Sequence, residues 1–454
     1  MKRISTIILA IVCAGCNEFV DIGTPKTQIV KESVFATDAG AKAAMAGIYS
    51  KLMSNNTFAG GGGNGVTVIA GLSADELDNY SPIPAQIAIY NNSLTPLSTV
   101  SSAWIDAYSC IYNANSVLEG LDASTGVSEE VRKQVRGEAL FIRAFSYFYL
   151  INFFGDVPLL KTTDYRKNMV ASRTPTAEVY QQVESDLLEA QELLLEDYSF
   201  SAGEKVNPNK WAATALLARV YLYQAKWTDA EAQATAVIAS QQFALTVDLN
   251  SVFLANSEEA IWQLMPSVPG YNTNDGPNFI IQGNPGNVAA SSSVLNVFEA
   301  GDKRALSWIG SYTAEDNNTY YYVYKYKIHD YGMPLTEYHM VLRLAEQYLI
   351  RAEAQAMQTD LLAAVDDVNA IRVRAGLVAI DATGMTQQDV LDAIEQERRA
   401  ELFIEWGHRW FDLKRTGKID AVLGPVKPDW QSKDALFPIP QEEIVANPNL
   451  IQNP

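Results

Sequence analysis

The chain has 454 residues, 48% of them apolar, which is enough for a sizeable core in one large domain or about three average ones. Its formal net charge of −19 repels phosphate backbones and anionic membrane surfaces, and it argues against a nucleic-acid partner. Cysteines occur only at positions 13, 16 and 110. If a leader is cut before Cys16 and that thiol is used elsewhere, Cys110 has no partner for an internal disulfide.

The first residues have the pattern of a bacterial lipoprotein signal. A basic pair at 2–3 precedes a mostly apolar run at 4–12, which is too short to span a membrane. The small residues Ala14 and Gly15 lead directly to Cys16, whose thiol would be acylated, although Cys13 departs from the usual pattern. Ordinary secretion with a free Cys16 is the alternative. The favoured interpretation divides this part of the chain into a signal peptide and a lipid-anchored tether, residues 1–15 and 16–34.

Helical periodicity dominates from residue 37 onward. A first helix is predicted over about 37–53, and a second apolar stripe runs from Trp104 to Leu118. Ser128 can cap a third helix, which is apolar on nearly every face up to Gly155 and is therefore expected to be buried on several sides. A Thr-Pro pair at 174–175 opens a fourth helix.

Residues 211–240 and 343–376 have the same pattern of two helices with small residues at their crossing. They resemble the tetratricopeptide unit of about 34 residues, and an ordinary helical hairpin is the alternative. The expected fold class is mainly α: a tetratricopeptide-like helical superhelix with a loop-rich second half that contains short β-strands.

Two long segments lack helical periodicity. Residues 54–100 include the flexible run GGGG, and residues 266–340 are rich in Gly, Asn, Pro and Ser before the alternating stretch TYYYVYKYKI, which predicts a strand. Long irregular segments inside a compact domain are usually functional. The last 30 residues, with FPIP and NPNLIQNP, are expected to wrap over the helical body.

The most charged stretch is EQERRAELFIEWGHRWFDLKR, which follows a capping box predicted from Thr386 and Asp389. Residue spacing predicts ion pairs along its helix, Glu395 with Arg399 and Arg398 with Glu401.

Glu401, Glu405 and His408 within this stretch allow two interpretations. They could form an acid–base group, or they could belong to an ion-pair network that holds the helix on the core. Spacing alone does not separate the two, because carboxylates one turn apart are common on helices. The family resemblance described below favours the structural role.

Metal and cofactor motifs are missing from the sequence. His329, His339 and His408 are scattered, and the one CxxC spacing, from Cys13 to Cys16, falls at the predicted cleavage site of the signal peptide. The sequence has no HExxH, GxSxG or P-loop pattern. We therefore expect no cofactor and no metal site, although acid-rich loops such as TAEDNN could hold calcium without the twelve-residue ligand loop.

Aromatic residues outside the helix stripes are the best candidates for ligand binding. Flat rings can cover the C–H faces of a pyranose, while Asn and Asp side chains reach its hydroxyls. For the polar residues beside Tyr271, the alternative is a turn in which Asn and Asp cap their own backbone. The predicted contact residues are Tyr80, Tyr271, Asn272, Asn274, Asp275 and Trp308.

Four segments resemble, in this order, the signature blocks of the SusD/RagB family of Bacteroidetes outer-membrane lipoproteins: GEALFIRAFSYFYLINFFGDVPL, NAIRVRAG, IEQERRAELFIEWGHRWFDLKRTG and LFPIPQEEIVANPNLIQNP. The resemblance implies a tetratricopeptide-like half, a loop-dominated half with the ligand contacts, and no catalysis. It also implies a nutrient ligand, most often an oligosaccharide, and a SusC-like TonB-dependent outer-membrane transporter as partner.

The resemblance also implies an organisation and a location. The lipid anchor is expected to hold the protein on the outer membrane facing the cell exterior, although the short acidic sequence CNEFVD supports that sidedness only in part. Two alternatives remain: a peptide or other non-glycan nutrient, and a surface glycoside hydrolase with two carboxylates about 5 to 9.5 Å apart. The predicted regions are an N-terminal SusD-like region, a ligand-facing region and a C-terminal region, at 35–265, 266–340 and 341–454.

Overall fold

The computed structural model describes residues 31–453, with the exception of residue 56, residues 98–100 and residue 316. The predicted signal peptide and Cys16 lie outside the described residues. Most of the described chain is helical, as expected for the fold class.

The first part of the chain forms a helical array with one short strand. Its elements are α1 (Lys31–Val34), α2 (Asp38–Leu52), α3 (Val66–Ser73), β1 (Leu77–Asn79), α4 (Pro84–Tyr90), α5 (Ser101–Ala123), α6 (Glu129–Phe154), α7 (Tyr165–Asn168), α8 (Thr176–Leu193), α9 (Lys210–Tyr223) and α10 (Trp227–Ala239).

Short strands and helices follow, and then a second helical group. These elements are β2 (Ala260–Leu264), α11 (Asp275–Phe279), β3 (Val288–Ala290), α12 (Ser292–Leu295), α13 (Lys303–Trp308), β4 (Ile309–Thr313), β5 (Thr319–Val323), β6 (His339–Arg343), α14 (Leu344–Met357), α15 (Leu361–Arg374), α16 (Gln387–Leu402), α17 (His408–Arg415), α18 (Ile419–Leu423) and α19 (Gln441–Ala446).

Helix α6 is the central helix of the array. Because its sequence is apolar on nearly every face, it is buried from Gly137 to Ile151 and packs against α2, α5 and α8. Ser128 is its N-cap residue, as predicted, but the Ser128 backbone N–H and hydroxyl both donate to Asp38, at 2.7 and 2.8 Å. Gly155 ends the helix with a positive φ of 72°, which a glycine adopts without strain.

Both predicted helical hairpins are confirmed. Helices α9 and α10 form the first and α14 and α15 form the second. Helix α10 packs directly on α14, so the two hairpins are neighbours in one array. Alanines at the crossings are fully buried and let the helix backbones approach closely: Ala212, Ala230, Ala234, Ala352 and Ala364.

A buried ion network fixes the second half of the fold. Glu401 of α16 accepts from Arg343 at 2.5 Å, and it also pairs with Arg374 at 2.5 Å and Arg304 at 3.0 Å. Burial alone would raise the pKa of the Glu401 carboxyl, but these guanidinium groups hold it well below its usual value. Glu405 binds Arg343 through two bonds in the same network. The structural interpretation of Glu401 and Glu405 is therefore confirmed.

The two ion pairs predicted along α16 are wrong, although the Thr386–Asp389 capping box is confirmed. Arg398 binds Asp412 at 2.8 Å instead of Glu401, and Glu395 binds Lys418 instead of Arg399. Partners from α17 and the turn after it reach these side chains, so tertiary contacts replace the pairs within the helix.

Three two-stranded antiparallel sheets connect the irregular segments: β1 with β3, β2 with β6, and β4 with β5. The segment 54–100, predicted as loop, contains the buried helix α3, the strand β1 and the helix α4. Helix α3 was missed because its eight residues are all buried, so its sequence shows no alternation between polar and apolar faces.

The last residues wrap over the helical body, as predicted. The Phe437 N–H donates to the Phe153 carbonyl at 2.8 Å, and the Asn453 amide donates to the carbonyls of Phe154 and Phe437 at 2.9 and 2.7 Å. These bonds hold the tail against the C-terminal end of α6.

Candidate functional site

The irregular segments meet around the glycine loop, which we define as residues 60–63. The Asn274 amide donates to the Gly60 carbonyl at 2.6 Å, and the Gln86 amide donates to the Gly63 carbonyl at 3.4 Å. Gly61 has a φ of +78°, and a Cβ on it would lie 2.5 Å from the Asp275 Oδ1 atom. The glycine loop thus joins the segment after Tyr271 to helix α4.

Three of the predicted polar contact residues turn inward. Asn272 is 4% exposed, accepts from the Thr336 and Glu337 N–H groups at 2.8 and 3.0 Å, and donates to the Pro334 carbonyl at 3.0 Å. Asp275 is 3% exposed, and half-buried Asn274 binds the glycine loop. The Asn272 side chain therefore holds the backbone of the segment before β6, and the Asn274 side chain holds that of the glycine loop, whereas the alternative interpretation of the sequence had them cap their own turn.

Asp275 faces His339 inside the protein, with 3.5 Å between its Oδ2 atom and the imidazole Nδ1 atom. Burial raises the pKa of the Asp275 carboxyl and lowers the pKa of His339, because a charge on either group loses its hydration. Both side chains are buried within the protein.

Trp308 belongs to the core, contrary to the prediction that it contacts ligand. Its side chain is 0% exposed, its Nε1–H donates to the Leu249 carbonyl at 2.9 Å, and its ring packs edge-to-face on Phe253. The Lys325 ammonium lies 4.9 Å from its ring centre. The polar residues before Trp308 suggested an exposed segment, but the ring at the end of α13 points inward.

Tyr80 is 41% exposed and forms one side of an aromatic surface on the β4–β5 hairpin. Its ring meets Tyr320 edge-to-face, with 5.4 Å between the ring centres. The register pairs Tyr320 with Tyr312, and Gly310 with Tyr322, so these side chains share one face of the hairpin. A Cβ at position 310 would lie 2.3 Å from the Tyr322 ring, so the glycine makes room for it.

The hydroxyl of Tyr80 stays protonated at neutral pH. Partial burial raises its pKa, and the carboxylate of Asp78 and the phenol of Tyr320 raise it further. Asp78 also accepts from the Tyr90 hydroxyl at 3.2 Å. The surface therefore offers aromatic faces together with hydroxyl groups that can both donate and accept hydrogen bonds.

Tyr271 belongs to a second aromatic pair. Its ring lies 4.8 Å from that of Tyr331, with an angle of 53° between the planes, and the two side chains are 41% and 68% exposed. Gly270 makes this contact possible, since a Cβ there would lie 2.8 Å from the Tyr331 ring. Tyr80 and Tyr271 thus contact different partners, Tyr320 and Tyr331.

An open groove of about 490 Å³ is lined in part by residues 264–267, which precede Tyr271 in the chain. Phe200 and Met45 form part of its wall, and the Lys42 ammonium lies 4.5 Å from the Phe200 ring centre. At its base, the Glu138 carboxylate accepts from the Tyr49 hydroxyl, the Gln134 amide and the Asn207 amide, at 2.7, 2.9 and 3.0 Å. Burial raises the pKa of Glu138 to about 7.

The candidate acid–base residues are held away from these surfaces. Glu401 is 0% exposed within its ion network, and burial lowers the pKa of His408 well below its usual value. Across the described ranges, no group of three or more His, Cys, Asp and Glu side chains is placed to hold a metal ion. Within the part of the chain that the structure covers, no helix is long and apolar enough to cross a bilayer.

Comparison with known proteins decides the family. A model described as starch-binding and associating with the outer membrane matches residues 79–222, and the SusD family model matches residues 307–454. The chain belongs to the SusD/RagB family. A relative over nearly its whole length is SusD-like protein P25 of Formosa agariphila, 27% identical over 98% of this chain and 97% of the relative.

Solved SusD structures share the fold. A SusD superfamily protein from Bacteroides vulgatus superposes with a TM-score of 0.81 at 22% identity, covering 92% of this chain and 98% of the other. A laminarin-binding SusD-like protein superposes with a TM-score of 0.77 at 22% identity, covering 92% and 99%. The SusD fold therefore extends over almost the entire described chain.

Sequence reasoning missed Tyr320 and Tyr331, the ring partners of the two predicted tyrosines. The run YYY at 320–322 predicted a half-buried strand, which is correct, but the side on which each ring lies depends on the pairing with β4. Strand alternation could have separated Tyr320 and Tyr322 from the exposed Tyr321.

Proposed function

We propose that this protein binds an oligosaccharide on its surface tyrosines, leaves it chemically unchanged and delivers it to a SusC-like TonB-dependent transporter. The observation that carries the proposal is the aromatic surface that exposed Tyr80 forms with the half-buried rings of Tyr312, Tyr320 and Tyr322. The family model described as starch-binding and the laminarin-binding neighbour support a glycan as ligand.

The chemistry of the surface matches a sugar. Tyrosine rings give apolar area with few rotatable bonds, and their hydroxyls can exchange hydrogen bonds with ligand hydroxyls. An open surface leaves part of the ligand hydrated, so we expect a dissociation constant of about micromolar or weaker. Weak binding also permits transfer, since a tightly held ligand would not leave.

The pair Tyr271–Tyr331 is the proposed second contact. Its loop is fixed by Asn272 and Asn274, so the Tyr271 ring is presented on an ordered backbone and loses little entropy on binding. In this proposal Tyr80 and Tyr271 touch ligand, whereas Trp308 stabilises the fold.

The location follows from the predicted anchor. An acylated Cys16 with two or more chains would hold the protein stably at the outer membrane, within reach of a transporter facing the cell exterior. The anchor is tested by expression in a Bacteroidetes host followed by detergent-phase partitioning. The parent is expected in the detergent phase and the Cys16→Ser variant in the aqueous phase. An equal distribution of the two proteins would exclude acylation of Cys16.

The binding test is calorimetry with a panel of soluble glycans that includes laminarin. Tyr80→Ala and Tyr271→Ala are each expected to lower the affinity at least about ten-fold, which corresponds to about 1.4 kcal/mol. Tyr112→Ala is the matched control, because Tyr112 is 51% exposed on α5, outside the proposed contacts. Equal affinities for the parent and both site variants would exclude the tyrosine surface.

The same titrations separate the alternatives. Heat with peptides and none with any glycan would favour a peptide nutrient. The candidate acid–base residues of a hydrolase, Glu401 and Glu405, are buried in ion pairs with Arg343. This position argues against their contact with a glycan. Release of shorter sugars from a glycan by the purified protein would nevertheless establish catalysis.

A further inference from the structure

One segment departs from the acidic character of the chain. We define the basic turn as residues 161–170, KTTDYRKNMV, which contains three cationic side chains and one carboxylate in a chain of net charge −19. The cations are Lys161, Arg166 and Lys167, and all three are exposed. Arg166 also bonds Asp164 at 3.0 Å, but its side chain is 74% exposed, so water screens this pair.

Exposed apolar side chains lie among these charges. Tyr165 is 71% exposed, Met169 53% and Val170 46%, which is unusual for three such residues within one short turn. The C-terminal tail adds Ile451, 74% exposed, and approaches the turn through the Asn449 amide, which donates to the Val170 carbonyl at 2.7 Å. Exposed apolar and exposed cationic side chains therefore occur together in this short segment.

The basic turn lies at the same end of the molecule as the start of the described chain. Glu119 of α5 accepts from the Thr162 hydroxyl and the Thr163 N–H within the turn, at 3.0 and 2.8 Å, so its carboxylate adjoins the turn. Glu119 also lines a surface cavity together with Phe35, which directly follows α1. The turn and Phe35, near the start of the described chain, therefore lie at the same end of α5.

We propose that the basic turn is a contact surface for a bilayer with anionic headgroups, which orients the protein on the membrane that holds its anchor. The residues between Cys16 and Lys31 span at most about 50 Å, so an anchored protein stays within reach of the bilayer. Tyrosine favours the membrane–water interface, and cations beside it attract anionic lipids. Distant carboxylates are screened beyond about 8–10 Å, so local charge decides which face approaches.

The experiment is co-sedimentation with vesicles, using the chain from residue 16 with Cys16→Ser, so that no acyl chain masks weak binding. Phosphatidylglycerol–phosphatidylcholine vesicles are compared with vesicles of phosphatidylcholine alone. The parent is expected to bind the anionic vesicles at least ten-fold more tightly. Arg166→Glu combined with Lys167→Glu should lower that binding at least ten-fold, because each cation near an anionic surface contributes about a five-fold effect.

The apolar part is tested by Tyr165→Ser combined with Met169→Ser, for which we also expect weaker binding to anionic vesicles. The matched control is Lys303→Glu combined with Val378→Ser, an exposed cation and an exposed apolar residue on the second half of the fold. This control should bind like the parent. Parent protein that binds neither vesicle, or a control that loses as much binding as the Arg166/Lys167 variant, would overturn the proposal.

The proposal rests on the proposed function only for the anchor that brings the protein to the membrane. Glycan titrations of the same variants distinguish failure of the membrane proposal from failure of the glycan proposal, because the basic turn lies outside the tyrosine surface. The Arg166/Lys167 variant is expected to keep the glycan affinity of the parent, whatever its vesicle binding.

Discussion

Replacement of Glu401 by Gln tests whether the buried ion network holds the second half of the fold. The substitution keeps the size of the side chain but removes the charge that Arg343, Arg374 and Arg304 share. Breaking a buried pair from one side costs about 3–5 kcal/mol, because the partner charges remain buried. Each arginine keeps another carboxylate, such as Glu405 for Arg343, so we expect the lower end, about 3 kcal/mol.

The assay is urea unfolding followed by tryptophan fluorescence, at pH 7 and at lower pH. Because the pKa of folded Glu401 lies below its usual value of 4.5, its contribution is fully present above that pH and decreases as the pH falls further. The difference in free energy of unfolding between the parent and the Glu401→Gln variant should therefore shrink as the pH falls below 4.5. Glu395→Gln is the control, since its pair with Lys418 is partly exposed and worth about 0–1 kcal/mol. If Glu401→Gln lowers the free energy of unfolding by less than about 1 kcal/mol at pH 7, the ion network does not hold the second half of the fold.

Three further predictions concern single side chains. Trp308→Ala should lower the free energy of unfolding by about 3–5 kcal/mol and leave glycan affinity unchanged in calorimetry, whereas weaker binding by a stably folded variant would return Trp308 to the ligand site. Burial raises the pKa of Glu76 to about 7 from 4.5, so ionisation costs stability as the pH rises through this window. Glu76→Gln should therefore gain stability relative to the parent, by up to about 3 kcal/mol, between pH 5 and pH 8 in urea unfolding, and a constant difference would contradict the assignment. Gly310→Ala should displace the Tyr322 ring and weaken glycan binding, while Ser311→Ala, on the opposite hairpin face, should not; equal affinities would remove Tyr322 from the site.

Local signals predicted the helical architecture correctly. The capping box at Thr386, the apolar α6 and the alanine-rich hairpins each depend on residues close together in sequence, so spacing was sufficient. The ion pairs of α16 were not predictable in this way. Arg398 had a plausible partner three residues away, yet Asp412 competes for it from another helix.

The candidate site was only partly predictable, because polar and aromatic residue types do not reveal the direction of a side chain. Tyr80 and Tyr271 are exposed as expected, whereas Asn272 and Asp275 are buried. A loop rich in Asn and Asp can use these side chains to hold its own backbone as readily as to hold a ligand. The ring partner Tyr331 is 60 residues from Tyr271 in the numbering, so only the folded chain shows that the two meet.

Within residues 271–275 the Tyr271 side chain is exposed and its neighbours are buried or half-buried, which has a practical consequence for engineering. Asn272 and Asn274 bind backbone carbonyls and Asp275 is buried, while the neighbouring Tyr271 faces solvent. A library that randomises Tyr271 and Tyr331 and preserves these three residues should therefore yield well-folded proteins with altered sugar preference. The same scaffold could then supply a set of reagents for distinguishing polysaccharides.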